Sequence, residues 1–245
     1  MTEFKLPRLA DDPDAPFPDT YHALRRPNGL LAWGGDLHPR RLLAAYRQGI
    51  FPWSGPGEPL LWWSPSPRCV LLPGGLHVSR RLARTLRQRR YRYTADRAFT
   101  RVIHGCASPR QGQRGTWITP GLRVAFERLH EQGHAHSVEV WRDEHLAGGL
   151  YGLALGRVFF AESMYFVERD ASKLAMVALD AGLQRLGFEL VDCQVDNPHL
   201  RSMGAQLVDR AGFEAVLLDA VGDGAGSAWD AEIVEQAANA SAGVE

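Results

Sequence analysis

Apolar and polar positions change rhythm along this chain, and the clearest rhythm starts at Ala135. "AHSVEVWRDEHLAGGLYGLALGRVFFAESMYF" reads as successive strands, with turns at Arg142–Glu144 and near Gly156. Such runs, rich in β-branched and aromatic residues and broken by polar or Gly positions, favour strands. Asp170 or Ser172 then starts a helix that Gly187 ends, with Met176, Leu179, Leu183 and Leu186 at helical spacing. "ELVDCQVDNPHLRSMGA" predicts a strand, then a second helix after Asn197 with Met203 and Leu207 facing inward, and "AGFEAVLL" predicts a closing strand. Upstream, the pattern predicts a helix over Pro39–Gln48 capped by Asp36, a short strand at Cys69–Leu72, a helix capped by Ser79 and a helix over Pro120–Gln132. Three strands, helix, strand, helix, strand points to an α/β or α+β domain. The Pro- and Asp-rich residues 1–20 predict an extended arm. After Gly222 the chain is rich in Gly, Ala, Ser and acids, which predicts a flexible acidic tail, with a short helix around 231–238 as the alternative.

Three polar residues interrupt these apolar strands: Glu162 in "VFFAESMYF", and Asp192 with Gln194. Strand side chains alternate, so Asp192, Gln194 and Asp196 are expected on one face. A buried carboxylate finds partners or its pKa rises until it is neutral, and either outcome suits an acid–base or cation-binding site. The residues alone leave open a plain internal hydrogen-bond network.

Charge sharpens the picture. The 245 residues carry no net charge, yet residues 21–114 hold 17 Arg, no Lys and three acids, Asp36, Glu58 and Asp96. One strongly basic part suggests a polyanionic partner. Arg80, Arg81, Arg84 and Arg87, followed by Arg89 and Arg90, make a helix that repels itself unless an anion lies against it. Trp33, Trp53, Trp62, Trp63 and Trp117 sit largely in Gly- and Pro-rich stretches, where they either stack on bases or fill the core.

Several classes are disfavoured. No apolar run reaches the roughly 18 residues of a membrane helix, and no secretory pattern opens the chain. Cys69, Cys106 and Cys193 form neither a disulfide framework nor a zinc motif, which fits a reduced cytoplasm. His130, His134 and His136 cluster at a Gly turn, where exposed or capping histidines outnumber metal ligands. Phosphate-loop, dinucleotide and nucleophile-elbow motifs are absent.

Read together, "PNGLLAWGGDL", "GIFPW", "LLWWSPSPR", "GTWIT", "LHEQGHAHSVEVW", "LAGGLYGLALG", "ESM", "ASK" and "VDCQVDNPHLRSMGA" resemble the leucyl/phenylalanyl-tRNA–protein transferase family, in order, from about Pro27 to Phe213. The resemblance implies an α+β chain: a small N-terminal α/β domain (residues 21–114) and a C-terminal acetyltransferase-like (GNAT) domain (115–221) with a mixed sheet. It implies a cytoplasmic monomer that moves Leu or Phe, and Met more weakly, from aminoacyl-tRNA to proteins with N-terminal Lys or Arg, marking them for N-end rule degradation, without metal or other cofactor. It puts catalysis on Asp192 and Gln194, with Glu162 near the aminoacyl group. Asp192 is expected to orient and deprotonate the amine, directly or through Gln194. Trp53 and Trp117 are expected at the 3′-adenosine, Leu150, Met164, Met176, Leu179 and Leu183 around the aminoacyl side chain, and Arg80, Arg81, Arg84, Arg87, Arg89 and Arg90 on the tRNA body. Where the family usually has Gly before the Glu of "ESM" and Phe-Ser after that motif, this chain has Ala161, Tyr165 and Phe166. An acyl-CoA enzyme is the first rival, but the matching loop "VERDASKLAM" lacks the glycines that cradle a pyrophosphate. A non-catalytic RNA-binding protein, the second, leaves Asp192, Gln194 and Glu162 without a task.

Overall fold

A computed structural model describes residues 6–55, 57–108, 116–222 and 227–242. The expected domain boundary at 114 and 115 lies outside them. In chain order the elements are β1 (Arg8–Leu9), β2 (Leu30–Gly34), α1 (Pro39–Arg47), β3 (Phe51–Pro52), β4 (Leu61–Trp63), β5 (Arg68–Leu71), α2 (Arg80–Arg87), β6 (Arg92–Ala95), α3 (Phe99–Ala107) and α4 (Pro120–Glu131). They continue as β7 (Ala135–Arg142), β8 (His145–Leu155), β9 (Val158–Phe166), α5 (Ala171–Arg185), β10 (Leu190–Gln194), α6 (Pro198–Ser202), β11 (Gln206–Val208), α7 (Arg210–Val221) and α8 (Ala231–Ala242).

Two sheets organise the chain, one of four strands in the order β1-β2-β4-β3 and one of seven in the order β11-β5-β10-β9-β8-β7-β6. The large sheet is mixed: β7, β8 and β9 form an antiparallel meander, β9 and β10 run parallel with α5 between them in the chain, and β10 pairs antiparallel with β5. A meander followed by one parallel pair with a crossover helix is the layout expected of an acetyltransferase-like domain. Alternating strand residues feed two cores. Phe160 and Leu190 pack with α1, α3, α4, α7 and the small sheet. Phe159 and Val191 pack with α2, α5 and α8. The N-terminal arm is tied down by β1 pairing with β2 and by the fully buried Arg41, which donates to the Ala10 and Asp12 carbonyls.

Local chemistry explains most helix starts. Ser79 and Thr119 accept hydrogen bonds from the Leu82 and Leu122 amides, and Pro120 occupies the first turn, where its missing N–H costs nothing. Four expectations are corrected. His38, not Asp36, caps α1, accepting from the Arg40 amide, while Asp36 receives the His38 amide and pairs with Arg41. The helix after Asn197 is a single turn, and Leu207 lies exposed in β11. The expected closing strand is the helix α7: Asp209 caps it, and Phe213, Leu217 and Ala220 are buried at spacings of four and three. Much of the expected flexible tail is ordered. Within α8, Val234 and Ala238 are buried against the second core, and Asn239 exchanges hydrogen bonds with both the amide and carbonyl of Tyr93 on the sheet-edge strand β6. Side chains thus occupy part of an edge that would otherwise stay unpaired.

Candidate active site

Beyond Asp192↔Phe160 the parallel pairing of β9 and β10 stops, and a cleft opens at the carboxyl end of the pair. Each strand carries an irregularity there. On β9 the register against β8 skips Glu162, since Tyr151 pairs with Ser163 and Gly152 with Ala161. Gly152 suits this crowding, because a Cβ on it would collide with the Phe160 carbonyl oxygen. On β10 the register against β5 skips Cys193, and Gln194 has φ 63°. Bulges of this kind re-aim side chains, and here they bring Glu162 and Gln194 together: Gln194 Nε2 donates to Glu162 Oε1 at 2.7 Å. Left-handed backbone at a non-glycine costs about 1–2 kcal/mol. The Gln194 amide offsets part of that by donating to Asp192 Oδ1 at 2.9 Å.

Asp192 stands behind this pair. Its side chain is fully buried and clamped by Arg68, whose Nε donates to Oδ1 at 2.8 Å and Nη2 to Oδ2 at 2.7 Å. Arg68 also donates to the Gly49 carbonyl at 3.0 Å, and its guanidinium lies 4.9 Å and 4.7 Å from the ring centres of Phe51 and Phe213. The planar fork of Arg suits both the bidentate pair and the ring stacking. Tyr46 of α1 donates to Glu162 Oε1 at 2.6 Å. Burial, then the Glu162 charge, pushes the Tyr46 phenol well up, so it stays protonated. Burial also pushes the Glu162 carboxyl up to about 8, against the opposing hydrogen bonds from Tyr46 and Gln194.

The cleft measures about 320 Å³ and is walled by Trp53, Trp117, Glu162, Gln194, Asp196, Asn197 and Leu200. A second, apolar pocket of about 120 Å³ shares Glu162, Cys193, Gln194 and Leu200 with it, and adds Leu150, Ala161, Met164 and Met176. The structure therefore gathers Glu162, Gln194, Trp53, Trp117, Leu150, Met164 and Met176 at one connected site, with Asp192 buried behind Gln194. Leu179 and Leu183 line neither cavity and are buried in the core with α5. Asp196 does not share the environment of Asp192: the bulge breaks the alternation, and its exposed carboxylate takes two 2.6 Å hydrogen bonds from Arg201. Arg80, Arg81, Arg84, Arg87, Arg89 and Arg90 lie along α2 and the turn after it, and all six are exposed. Of the three unusual residues beside "ESM", only Ala161 lines the apolar pocket. The Tyr165 ring lies over Gly105 of α3, where a Cβ would meet it at 2.5 Å, and Phe166 is exposed.

Arg68, Tyr46 and Cys193 were not singled out from sequence. Arg68 counted as one basic residue among 17, although an arginine opening the apolar run "RCVL" was a signal of burial beside a carboxylate. Among the described residues no group of three or more His, Cys, Asp or Glu is placed to hold a metal ion, and no helix is long and apolar enough to cross a membrane.

Comparison with known proteins decides the family. A family model described as leucyl/phenylalanyl-tRNA protein transferase matches residues 70–218, and the N-terminal domain model of the same family matches residues 35–66. The chain belongs to the leucyl/phenylalanyl-tRNA protein transferase family. A transferase of that name from Alkalilimnicola ehrlichii is 58% identical over 211 residues, 86% of this chain and 82% of its own length. Another, from Aromatoleum aromaticum, is 54% identical over 228 residues, 93% of this chain and 95% of its own length. Between the two models the match passes from β4 to β5, so β5 and β6 fall with the later strands, as they do in the seven-stranded sheet. Among solved structures, L-PGS from Bacillus licheniformis aligns over 64% of this chain and 65% of its own at 10% identity and TM-score 0.38. A GCN5-related N-acetyltransferase from Kribbella flavida aligns over 67% of this chain and 59% of its own at 12% identity and TM-score 0.33.

Proposed function

We propose that this transferase moves Leu or Phe, and Met more weakly, from aminoacyl-tRNA to the α-amine of proteins beginning with Lys or Arg, marking them for N-end rule degradation. The observation that carries the reading is the Gln194–Glu162 pair at the junction of a tryptophan-walled cleft and an apolar pocket. The reaction needs an unprotonated amine held against an ester carbonyl, with somewhere for a proton to go. Gln194 Nε2 is committed to Glu162, and among the described residues Gln194 Oε1 takes no hydrogen bond, so Oε1 is the acceptor offered to the amine. Glu162 titrates near neutrality and manages the proton. Asp192 acts through Gln194 rather than directly, because Arg68 and the Gln194 amide occupy its oxygens. Asp192 and Arg68 are therefore positioning residues, and Tyr46 positions Glu162.

The aminoacyl side chain enters the pocket of Leu150, Met164 and Met176. A cavity of about 150 Å³ holds benzene, and about 120 Å³ opening onto a cleft suits leucyl or, with small adjustment, phenyl groups. β-Branching puts bulk beside the backbone and fits worse. Trp53 and Trp117 stack on the terminal adenosine, and the arginines of α2 and the turn after it bind phosphates of the tRNA body. The test is transfer of radiolabelled Leu from charged tRNA to peptides differing only at the first residue. Label on the Arg and Lys peptides alone, with Ile-tRNA a poor donor, supports the reading. Equal labelling of all peptides, or equal use of Ile and Leu, overturns it.

A further inference from the structure

We propose that Cys69 and Cys193 form an oxidation-sensitive dithiol site that closes to a disulfide and switches the active-site strand off. Cys193 is the unpaired residue of the β10 bulge between Asp192, which pairs with Val70, and Gln194, which pairs with Cys69, so it lies beside Cys69 across the two strands. Neighbouring strands lie about 4.8 Å apart, and a disulfide accepts Cα atoms roughly 4.4–6.8 Å apart, so a pair on adjoining strands at a bulge is within reach. Both side chains lie in the same buried core, and the Cys193 thiol donates to the Val191 carbonyl at 3.9 Å. The neighbouring Cys193 thiol, helped by the Asn197 amide, lowers the Cys69 pKa, while Cys69 and burial hold Cys193 up. The pair therefore divides into a thiolate-leaning and a thiol-leaning member. Cys193 lines both the cleft and the apolar pocket, so a small oxidant in the cleft reaches the pair from the substrate side.

The oxidant class is a peroxide. Hydrogen peroxide takes two electrons from one sulfur, giving a sulfenic acid and one water. The neighbouring thiol then attacks that sulfur, the S–S bond forms, the S–O bond breaks and a second water leaves. Two thiols and one peroxide thus give one disulfide and two waters. An S–S bond is about 2.05 Å long, so closure draws Cys193 towards β5. Cys193 is the bulge residue that sets Gln194 against Glu162, and it walls the aminoacyl pocket. A misplacement of about 1 Å can cost 10²-fold in rate, so we expect transfer to fall roughly tenfold or more and to return with dithiothreitol.

The inference rests on the proposed function only for its activity readout; its chemical readout stands apart. The purified full chain is treated with a small excess of hydrogen peroxide, alkylated in denaturant, and read by intact mass and peptide mapping, beside Cys69→Ala, Cys69→Ser and Cys106→Ala. The expected result is an intact mass carrying one alkyl group where the reduced chain carries three, a linked peptide joining Cys69 to Cys193, and a reversible loss of transfer shared by Cys106→Ala. Cys69→Ala or Cys69→Ser should keep basal transfer and escape the reversible loss. Absence of the linked peptide, or an equal reversible loss in both Cys69 variants, overturns the inference. A linked peptide in a chain that never transfers Leu upholds the dithiol site and sinks the proposed function instead.

Discussion

Replacing Arg68 with Met tests how the site is held from behind. Met fills much of the same space between Phe51 and Phe213 but removes the charge and all three donors. Asp192 is then a carboxylate with no solvent exposure, left with the Gln194 amide as its remaining donor. Breaking a buried pair by removing one partner costs about 3–5 kcal/mol. For a chain of this size each kcal/mol lowers Tm by about 2–4 °C, so Arg68→Met should melt roughly 10 °C below wild type, most clearly at neutral and alkaline pH. Protonation relieves the stranded carboxylate of the variant. A carboxyl raised in the folded state favours folding at low pH and loses that contribution as pH rises through its folded value, so the deficit should shrink on acidification. Adding Asp192→Leu removes the unpaired charge and should recover most of the stability. It should not recover transfer, because the Gln194 amide has lost its acceptor. Calorimetric Tm values at pH 5 and pH 8, with single-turnover transfer, complete the cycle. A Tm within a degree or two of wild type for Arg68→Met, or full transfer by the double variant, refutes the positioning role.

Three further outcomes follow from the same geometry. Burial pushes Glu162 up to about 8, so its contribution to stability is fully present below the ordinary carboxylate range and lost as pH rises through about 8; the urea midpoint of Glu162→Gln should fall less than that of wild type between pH 6 and pH 9, and parallel curves contradict this. Trp53→Ala and Trp117→Ala should each weaken binding of a short aminoacyl-oligonucleotide by about 1–3 kcal/mol, the usual worth of one stacked base, and titration showing no loss for either removes the adenosine assignment. Arg84→Gln with Arg87→Gln should weaken binding to any charged tRNA similarly and reduce the slope of log K against log salt by about 0.9 for each phosphate left without its arginine; an unchanged slope places the tRNA body elsewhere.

The element pattern from Ala135 to Gln194 was legible because strand alternation and the spacing of Met176, Leu179 and Leu183 are local signals. "AGFEAVLL" misled because its eight residues form too short an apolar run to separate a buried strand from a helix; the Asp209 cap and the 213, 217, 220 spacing carried the answer. Strand alternation rightly put Asp192 and Gln194 in a buried strand, but a bulge is a departure from alternation, so Asp196 was wrongly grouped with them. Arg68 and Tyr46 are separated from their partners by 124 and 116 residues, and no window of sequence reports pairings at that range. For α8, a small, acidic composition that resembles disorder leaves tail and short helix both open from sequence; Val234 and Ala238 become core only where Gly182 lets the helices meet closely.

Single-turnover transfer by Gln194→Ala, with charged tRNA saturating and its binding measured alongside, tests the central claim most directly. The account predicts binding close to wild type and a transfer rate lower by about 10²-fold or more, because the amine loses its acceptor and Glu162 loses one of its two donors. Transfer at the wild-type rate by a variant that binds normally would contradict it.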